Sequence, residues 1–182
     1  MFKRLLALIL LTSSIFSGEP KKQTRVYVDV VGDLFHSGHV EFFKKAKAMG
    51  DYLIVGVLSD ETVESYKRRP VYHLDERAAV IAACRYVDEI VIDCPLGVTE
   101  ELLDAYKIDL VVHGDDFDEK MAREQYGPAL DRGIFKTVPY TKGISTSDLI
   151  ERFIAQYETA PSSLRKKDYY EGTQAALEKQ DK

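Results

Sequence analysis

The sequence predicts an α/β fold, a doubly wound parallel sheet in a single domain. Three observations carry this expectation. Short β-branched runs alternate with segments of helical periodicity, the order that right-handed crossovers convert into a parallel sheet covered on both faces. The strand-like runs are almost continuously apolar, as strands buried on both faces must be. The length of 182 residues, 45% of them apolar and 30% charged, suits one core that needs no disulfide or metal to fold.

Residues 26–31 form a first buried strand, and Val40, Phe43 and Ala46 then recur at helical spacing. Gly50-Asp51 closes that helix before a second strand over 52–58. A polar stretch with a helical turn covers 59–69 until Pro70 breaks it. Asp75 is placed to cap the next helix, with Ala78, Ile81, Ala82 and Cys84 toward the core. A third strand is expected over 87–92, a helix over 99–106, a fourth strand over 110–113 and a short fifth over 135–138. The last helix begins near Ser145, and Leu149, Ile150, Phe153, Ile154 and Tyr157 give it an apolar stripe. The compact domain therefore runs over 24–157, and the polar residues 158–182 read as a loose tail.

The amino terminus is different in kind. Lys3 and Arg4 precede an apolar run from Leu5 to Leu11, so residues 1–23 have the layout of a secretory signal or short anchor. The run is short for a membrane span, and Ile15 and Phe16 occupy positions where a cleavage site wants small residues. An extension without a targeting role is the other reading. The cytoplasm is the expected location, with membrane contact only if this segment anchors the chain.

Composition excludes several classes. A net charge of −5 gives no general attraction to nucleic acid or anionic membrane, so an anionic ligand must be held by a local cluster. Two cysteines, Cys84 and Cys94, in apolar contexts read as reduced thiols. There is no G-x-G-x-x-G after the first strand and no Walker A sequence, which disfavours a dinucleotide site or a P-loop.

The first strand leads instead into Asp33-Leu34-Phe35-His36-Ser37-Gly38-His39, which opens directly into a helix. Open parallel sheets bind ligands at such carboxyl ends of strands. Two histidines at a helix start place ring donors beside the unpaired N–H groups of the first turn, a setting for phosphate. A metal pair is the competing reading, but no further ligands stand at suitable spacing, and no protein metal site is expected. Lys47 lies eleven residues after His36, about three turns, on the face of Val40 and Phe43. It either snorkels to water or reaches an anion at the helix start. Lys44 is the neighbouring candidate, and Lys45 should point away. Arg77 follows Glu76 in the first turn of its helix and by itself reads as a surface salt-bridge partner. Ser145 to Ser147 open the last helix with donors that suit a second phosphate, and Ser145 with Asp148 also forms a capping-box pattern.

His36 to His39 with Ala46-Lys47 resembles the H-x-G-H signature of the nucleotidyltransferase superfamily. Thr141-Lys142-Gly143-Ile144-Ser145-Thr146-Ser147 resembles the R-T-x-G-I-S-T-T motif of its cytidylyltransferase branch. Residues 48–57, Glu76-Arg77, the run 84–89 and His113-Gly114-Asp115-Asp116 are also similar to that branch. Val98 to Leu103, Val112 to Gly114 and Arg132 to Phe135 look most like its ethanolamine-phosphate members.

The resemblance implies a Rossmann-like fold, a homodimer, and attack on the α-phosphate of CTP, accompanied by Mg²⁺, by a small phosphorylated alcohol, foremost phosphoethanolamine. Glycerol 3-phosphate, phosphocholine or a phosphonate are the alternative acceptors, and a nucleotide-binding homologue without turnover is the alternative of another class. In the implied site, His36, His39 and Lys47 are catalytic. Asp33, Lys44, Arg77, Asp115, Asp116, Lys142, Gly143, Ile144, Ser145, Thr146 and Ser147 bind substrate or nucleotide. Asp115 and Asp116 read the cytosine amino group, organise the magnesium ion, or simply make a turn. Two departures stand out: Val30-Val31-Gly32-Asp33 replaces a G-T-F-D-like stretch, and Tyr140 stands where the motif has arginine.

Overall fold

A computed structural model describes residues 22–116 and 118–161. The expected signal-like or anchor-like segment lies almost wholly outside these residues, as does all but the start of the polar tail. Five strands, β1 (Arg25–Val30), β2 (Tyr52–Val57), β3 (Glu89–Ile92), β4 (Leu110–Gly114) and β5 (Phe135–Val138), form one parallel sheet in the order β3-β2-β1-β4-β5. The expected α/β doubly wound architecture is present. β1 pairs along its whole length with β2, from Arg25 opposite Tyr52 to Val30 opposite Val57. Its other neighbour is β4. The chain thus winds outward through β2 and β3, crosses back, and winds the other way through β4 and β5. The reversal falls between β1 and β4, where an open sheet leaves a crevice at its carboxyl edge.

Among the described residues, five helices connect the strands, α1 (Ser37–Lys47), α2 (Asp60–Glu64), α3 (Leu74–Ala82), α4 (Glu100–Ala105) and α5 (Glu119–Asp131), and α6 (Thr146–Thr159) follows the last strand. Because side chains alternate along a strand, β1 sends Val26 and Val28 to one face and Tyr27 to the other. The first face meets Phe43 and Ala46 of α1 and Ile81 of α3. The second meets Val63, Leu102, Leu103, Tyr126 and Ala129 from α2, α4 and α5. Gly56 makes room on that second face, since a Cβ there would collide with the Tyr27 hydroxyl. Both cysteines are free thiols, and burial pushes that of Cys94 up to about 12.

Several local expectations are corrected. The cap of α3 is His73, whose backbone N–H donates to the Glu76 carboxylate at 2.8 Å, so Asp75 sits inside the first turn. Ala82 faces solvent, not the core. The helix α5 has no counterpart in the periodicity reading, because Gly127-Pro128 interrupts its pattern. The helix survives as two pieces joined at a kink where Tyr126 takes φ −124°, ψ 19°. The stripe on α6 is largely uncovered, with Phe153, Ile154 and Tyr157 all exposed. No helix among the described residues is long and apolar enough to cross a membrane.

Candidate active site

A pocket of about 280 Å³ occupies the crevice between the carboxyl ends of β1 and β4. Its walls come from the loop after β1, the start of α1, the segment after α2, the turn after β4 and the loop leading into α6.

The two histidines are held by the helix they begin. His36 is the cap of α1, and its Nδ1 accepts from the Gly38 N–H at 3.1 Å. The Nδ1 of His39 accepts in turn from the His36 backbone N–H at 3.3 Å. Each inner ring nitrogen is an acceptor, so in the neutral rings the proton sits on Nε2. Burial holds His39 down to about pKa 4, helped by the neighbouring His36 and by Lys67 and opposed by Asp33. Burial also lowers His36, against the pull of Asp148. The rings lie 4.0 Å apart between centroids, and Phe35 stacks on His39 at 5.4 Å. The result is a pair of outward N–H donors at the foot of a helix, a setting that favours phosphate oxygens. Gly38 is required there, because a Cβ would come 2.8 Å from the His36 ring.

The start of α6 supplies the opposite wall. Ser145 caps the helix, its Oγ accepting from the Asp148 N–H at 3.1 Å. Thr146 Oγ1 donates to the Asp33 carbonyl at 3.0 Å, tying this helix to the loop after β1. Ile144, Ser145, Thr146 and Ser147 all line the pocket, as expected. Gly143 adopts φ +92° in the turn before them, a left-handed conformation suited to glycine. Gly32 does the same after β1 with φ +70°, which accounts for the shifted glycine in Val30-Val31-Gly32-Asp33.

Other expected residues are placed differently. Arg77 does not line the pocket. It is fully buried and donates to the carbonyls of Val31 (2.6 Å), Leu58 (2.8 Å) and Tyr72 (3.2 Å) and to Asp60 Oδ1 (2.5 Å). It is a strut that braces the loops behind the site. Lys47 lies at the far end of α1, where Nζ donates to Asp88 Oδ2 at 2.5 Å and to the Asp51 carbonyl at 2.7 Å. The helix axis that carries it away from the histidines also carries it to the opposite edge of the sheet. Lys44 pairs with Glu41 at the surface. Lys45, expected to point away, instead donates to the Pro139 carbonyl at 2.7 Å and so steadies the loop on the pocket rim. Asp115 accepts from the Tyr140 N–H at 2.8 Å and serves the same loop, whereas Asp116 lines the pocket. Lys142 is exposed and does not line it. Asp33 lines it but is also an anchor, accepting from the N–H groups of Val71 and Tyr72 and from Arg68.

Three charged lining residues escape the sequence reading. Asp29, near the carboxyl end of β1, accepts from the Tyr126 hydroxyl at 3.0 Å to each oxygen. Enclosure raises its pKa, while the charge of His113 and the Tyr126 hydroxyl oppose the rise. Tyr126 sits at the kink in α5. An acid inside an otherwise apolar strand is the signal that could have found it. Lys67 and Arg68, from the run before Pro70, also line the pocket. No group of three or more His, Cys, Asp or Glu among the described residues could hold a metal ion.

A family model described as Cytidylyltransferase-like matches residues 32–152. The chain is 38% identical over 158 residues to ethanolamine-phosphate cytidylyltransferase of Arabidopsis thaliana, covering 80% of this chain and 37% of that protein. It is 40% identical over 148 residues to the enzyme of the same name from Dictyostelium discoideum, covering 76% and 41%. Choline-phosphate cytidylyltransferase A of Mus musculus is 40% identical over 141 residues, covering 76% and 38%. The chain thus spans about two fifths of the length of these relatives. Among solved structures, the lipopolysaccharide core biosynthesis protein from Thermoplasma volcanium GSS1 superposes with a TM-score of 0.55 at 28% identity, covering 68% of this chain and all of that one. With the family match spanning the crevice from Gly32 through the start of α6, the chain belongs to the cytidylyltransferase-like family.

Proposed function

We propose that this chain transfers the cytidylyl group of CTP to phosphoethanolamine, releasing pyrophosphate and forming CDP-ethanolamine, a phospholipid precursor. A phosphate oxygen of the acceptor attacks the α-phosphorus while the bond to the β-phosphate oxygen breaks in line. Such a step needs alignment and neutralisation of growing negative charge. The Nε2–H groups of His36 and His39 donate to the phosphates, the N–H groups and hydroxyls at the start of α6 hold a second phosphate, and Lys67 supplies a positive charge. Magnesium arrives with CTP as part of the substrate.

The observation that carries the choice of acceptor is Asp29. A primary ammonium can donate hydrogen bonds to a carboxylate, and a quaternary one cannot. A trimethylammonium head favours aromatic walls. The carbocyclic rings lining this pocket, Phe42 and Tyr140, come from α1 and the loop before α6 and not from the strand that carries Asp29. The relatives' names include both head groups at nearly equal identity, and the carboxylate supports phosphoethanolamine. A homodimer belongs to the same proposal and is read directly by light scattering.

The test is pyrophosphate release by the full chain with CTP and magnesium against phosphoethanolamine, phosphocholine, glycerol 3-phosphate and a phosphonate. Release dependent on phosphoethanolamine supports the reading. Preference for another acceptor renames the substrate, and CTP binding without release with any acceptor favours a nucleotide-binding role.

A further inference from the structure

We propose that Arg68 is a triphosphate-binding residue of this pocket, a role that deepens the cytidylyl-transfer reading and rests on it. The need for such a residue comes from charge. CTP brings three phosphates, and the histidines that meet them are held neutral by burial. Of the cations expected at the site, Arg77 is sealed behind it, and Lys44, Lys47 and Lys142 lie outside it. Tyr140, on the rim, is uncharged. The lining also contains three carboxylates, Asp29, Asp33 and Asp116, which repel a triphosphate. Lys67 alone is a thin counterweight.

Arg68 is built for the task. Its guanidinium donates through Nη2 to Asp33 Oδ2 at 3.1 Å and through Nη1 to the Arg69 carbonyl at 3.1 Å. Those bonds use two of its five N–H donors. Asp33 is itself 3% exposed and pinned by the N–H groups of Val71 and Tyr72. It fixes the segment that carries Arg68 to the end of β1. The Arg68 side chain remains 40% exposed, on the pocket side of that anchor. A planar fork held from behind by a buried carboxylate presents its remaining donors to phosphate oxygens bidentately.

The experiment is calorimetric titration of the full chain with CTP and with CMP, each with magnesium, for the parent and for Arg68→Ala, Arg68→Lys, Tyr140→Arg and Arg68→Ala/Tyr140→Arg. Loss of a charge-assisted contact should weaken CTP binding by about tenfold or more. CMP, which lacks the outer phosphates, should change by less than about twofold. Arg68→Lys should retain part of the affinity, and the Tyr140→Arg partner should restore most of what Arg68→Ala loses. CTP binding by Arg68→Ala within about twofold of the parent overturns the proposal. So does an equal loss for CTP and CMP, which marks Arg68 as a loop brace only. Pyrophosphate release is read separately. A parent that binds CTP but releases nothing with phosphoethanolamine sinks the catalytic reading and leaves the CTP-against-CMP contrast intact.

Discussion

Replacing Arg77 with methionine removes a guanidinium that is 0% exposed and that donates to three carbonyls and one carboxylate. Methionine restores much of the apolar stem but none of the donors. Asp60 is then left as a largely buried charge whose remaining partners are the Leu74 backbone N–H and His73 at 3.6 Å. Breaking a buried pair from one side costs about 3–5 kcal/mol, against a typical total of about 5–15 kcal/mol. For a chain of this size each kcal/mol moves the midpoint by about 2–4 °C, so Tm should fall by about 6–20 °C. Circular dichroism followed through thermal and urea unfolding measures it. Arg77→Met/Asp60→Asn, which removes the orphan charge as well, should recover part of the loss. At a temperature where Arg77→Met remains folded, its CTP affinity should stay within about threefold of the parent. A variant with an unchanged midpoint and collapsed CTP affinity would refute the strut assignment and return Arg77 to the substrate.

Three further outcomes are expected. His39 is held near pKa 4 in the folded chain against about 6.5 unfolded, so below pH 6.5 the unfolded chain gains a proton that the folded one refuses. Its contribution to stability therefore declines as pH falls from about 6.5 to about 4, by roughly 3 kcal/mol in all. Urea titrations of the parent and His39→Gln should differ by that slope, and parallel curves would refute it. Asp29→Asn should raise the KM for phosphoethanolamine about tenfold or more while the KM for CTP moves little, as loss of a charge-assisted contact requires; equal changes in both would remove Asp29 from the acceptor site. Lys47→Ala should leave kcat within about twofold and cost no more than about 1 kcal/mol, as for a partly exposed ion pair; a large kcat loss would place it back in the chemistry.

The sheet was legible because its central strands are buried on both faces and so announce themselves as apolar runs; all five strands lie within two residues of their expected bounds. The helix α5 was hidden by its own Gly127-Pro128 kink. At the site, what could be read were groups fixed by local chain geometry: His36 and His39 on one helix start, Ser145 to Ser147 on another. What could not be read were side chains that reach the pocket across sequence distance. Lys67 and Arg68 arrive there because Asp33 holds their loop, and Asp29 acquires its partner from Tyr126, 97 residues away. Lys47 went the other way: it shares a face of α1 with His36, but the three turns between them set it at the other edge of the sheet, beside Asp51 and Asp88.

The reciprocal closure of α1 by His36 and His39 has a consequence for how variants of this chain should be interpreted. The rings that line the pocket also begin the helix, so an alanine at either position changes the pocket wall and frays the first turn together. Activity lost in such a variant does not measure a catalytic contribution until folding has been measured beside it. Asparagine can supply a side-chain acceptor at His36, the cap, without an imidazole. That substitution separates the cap from the donor, and evolution could not have improved one role freely while both rest on the same two rings.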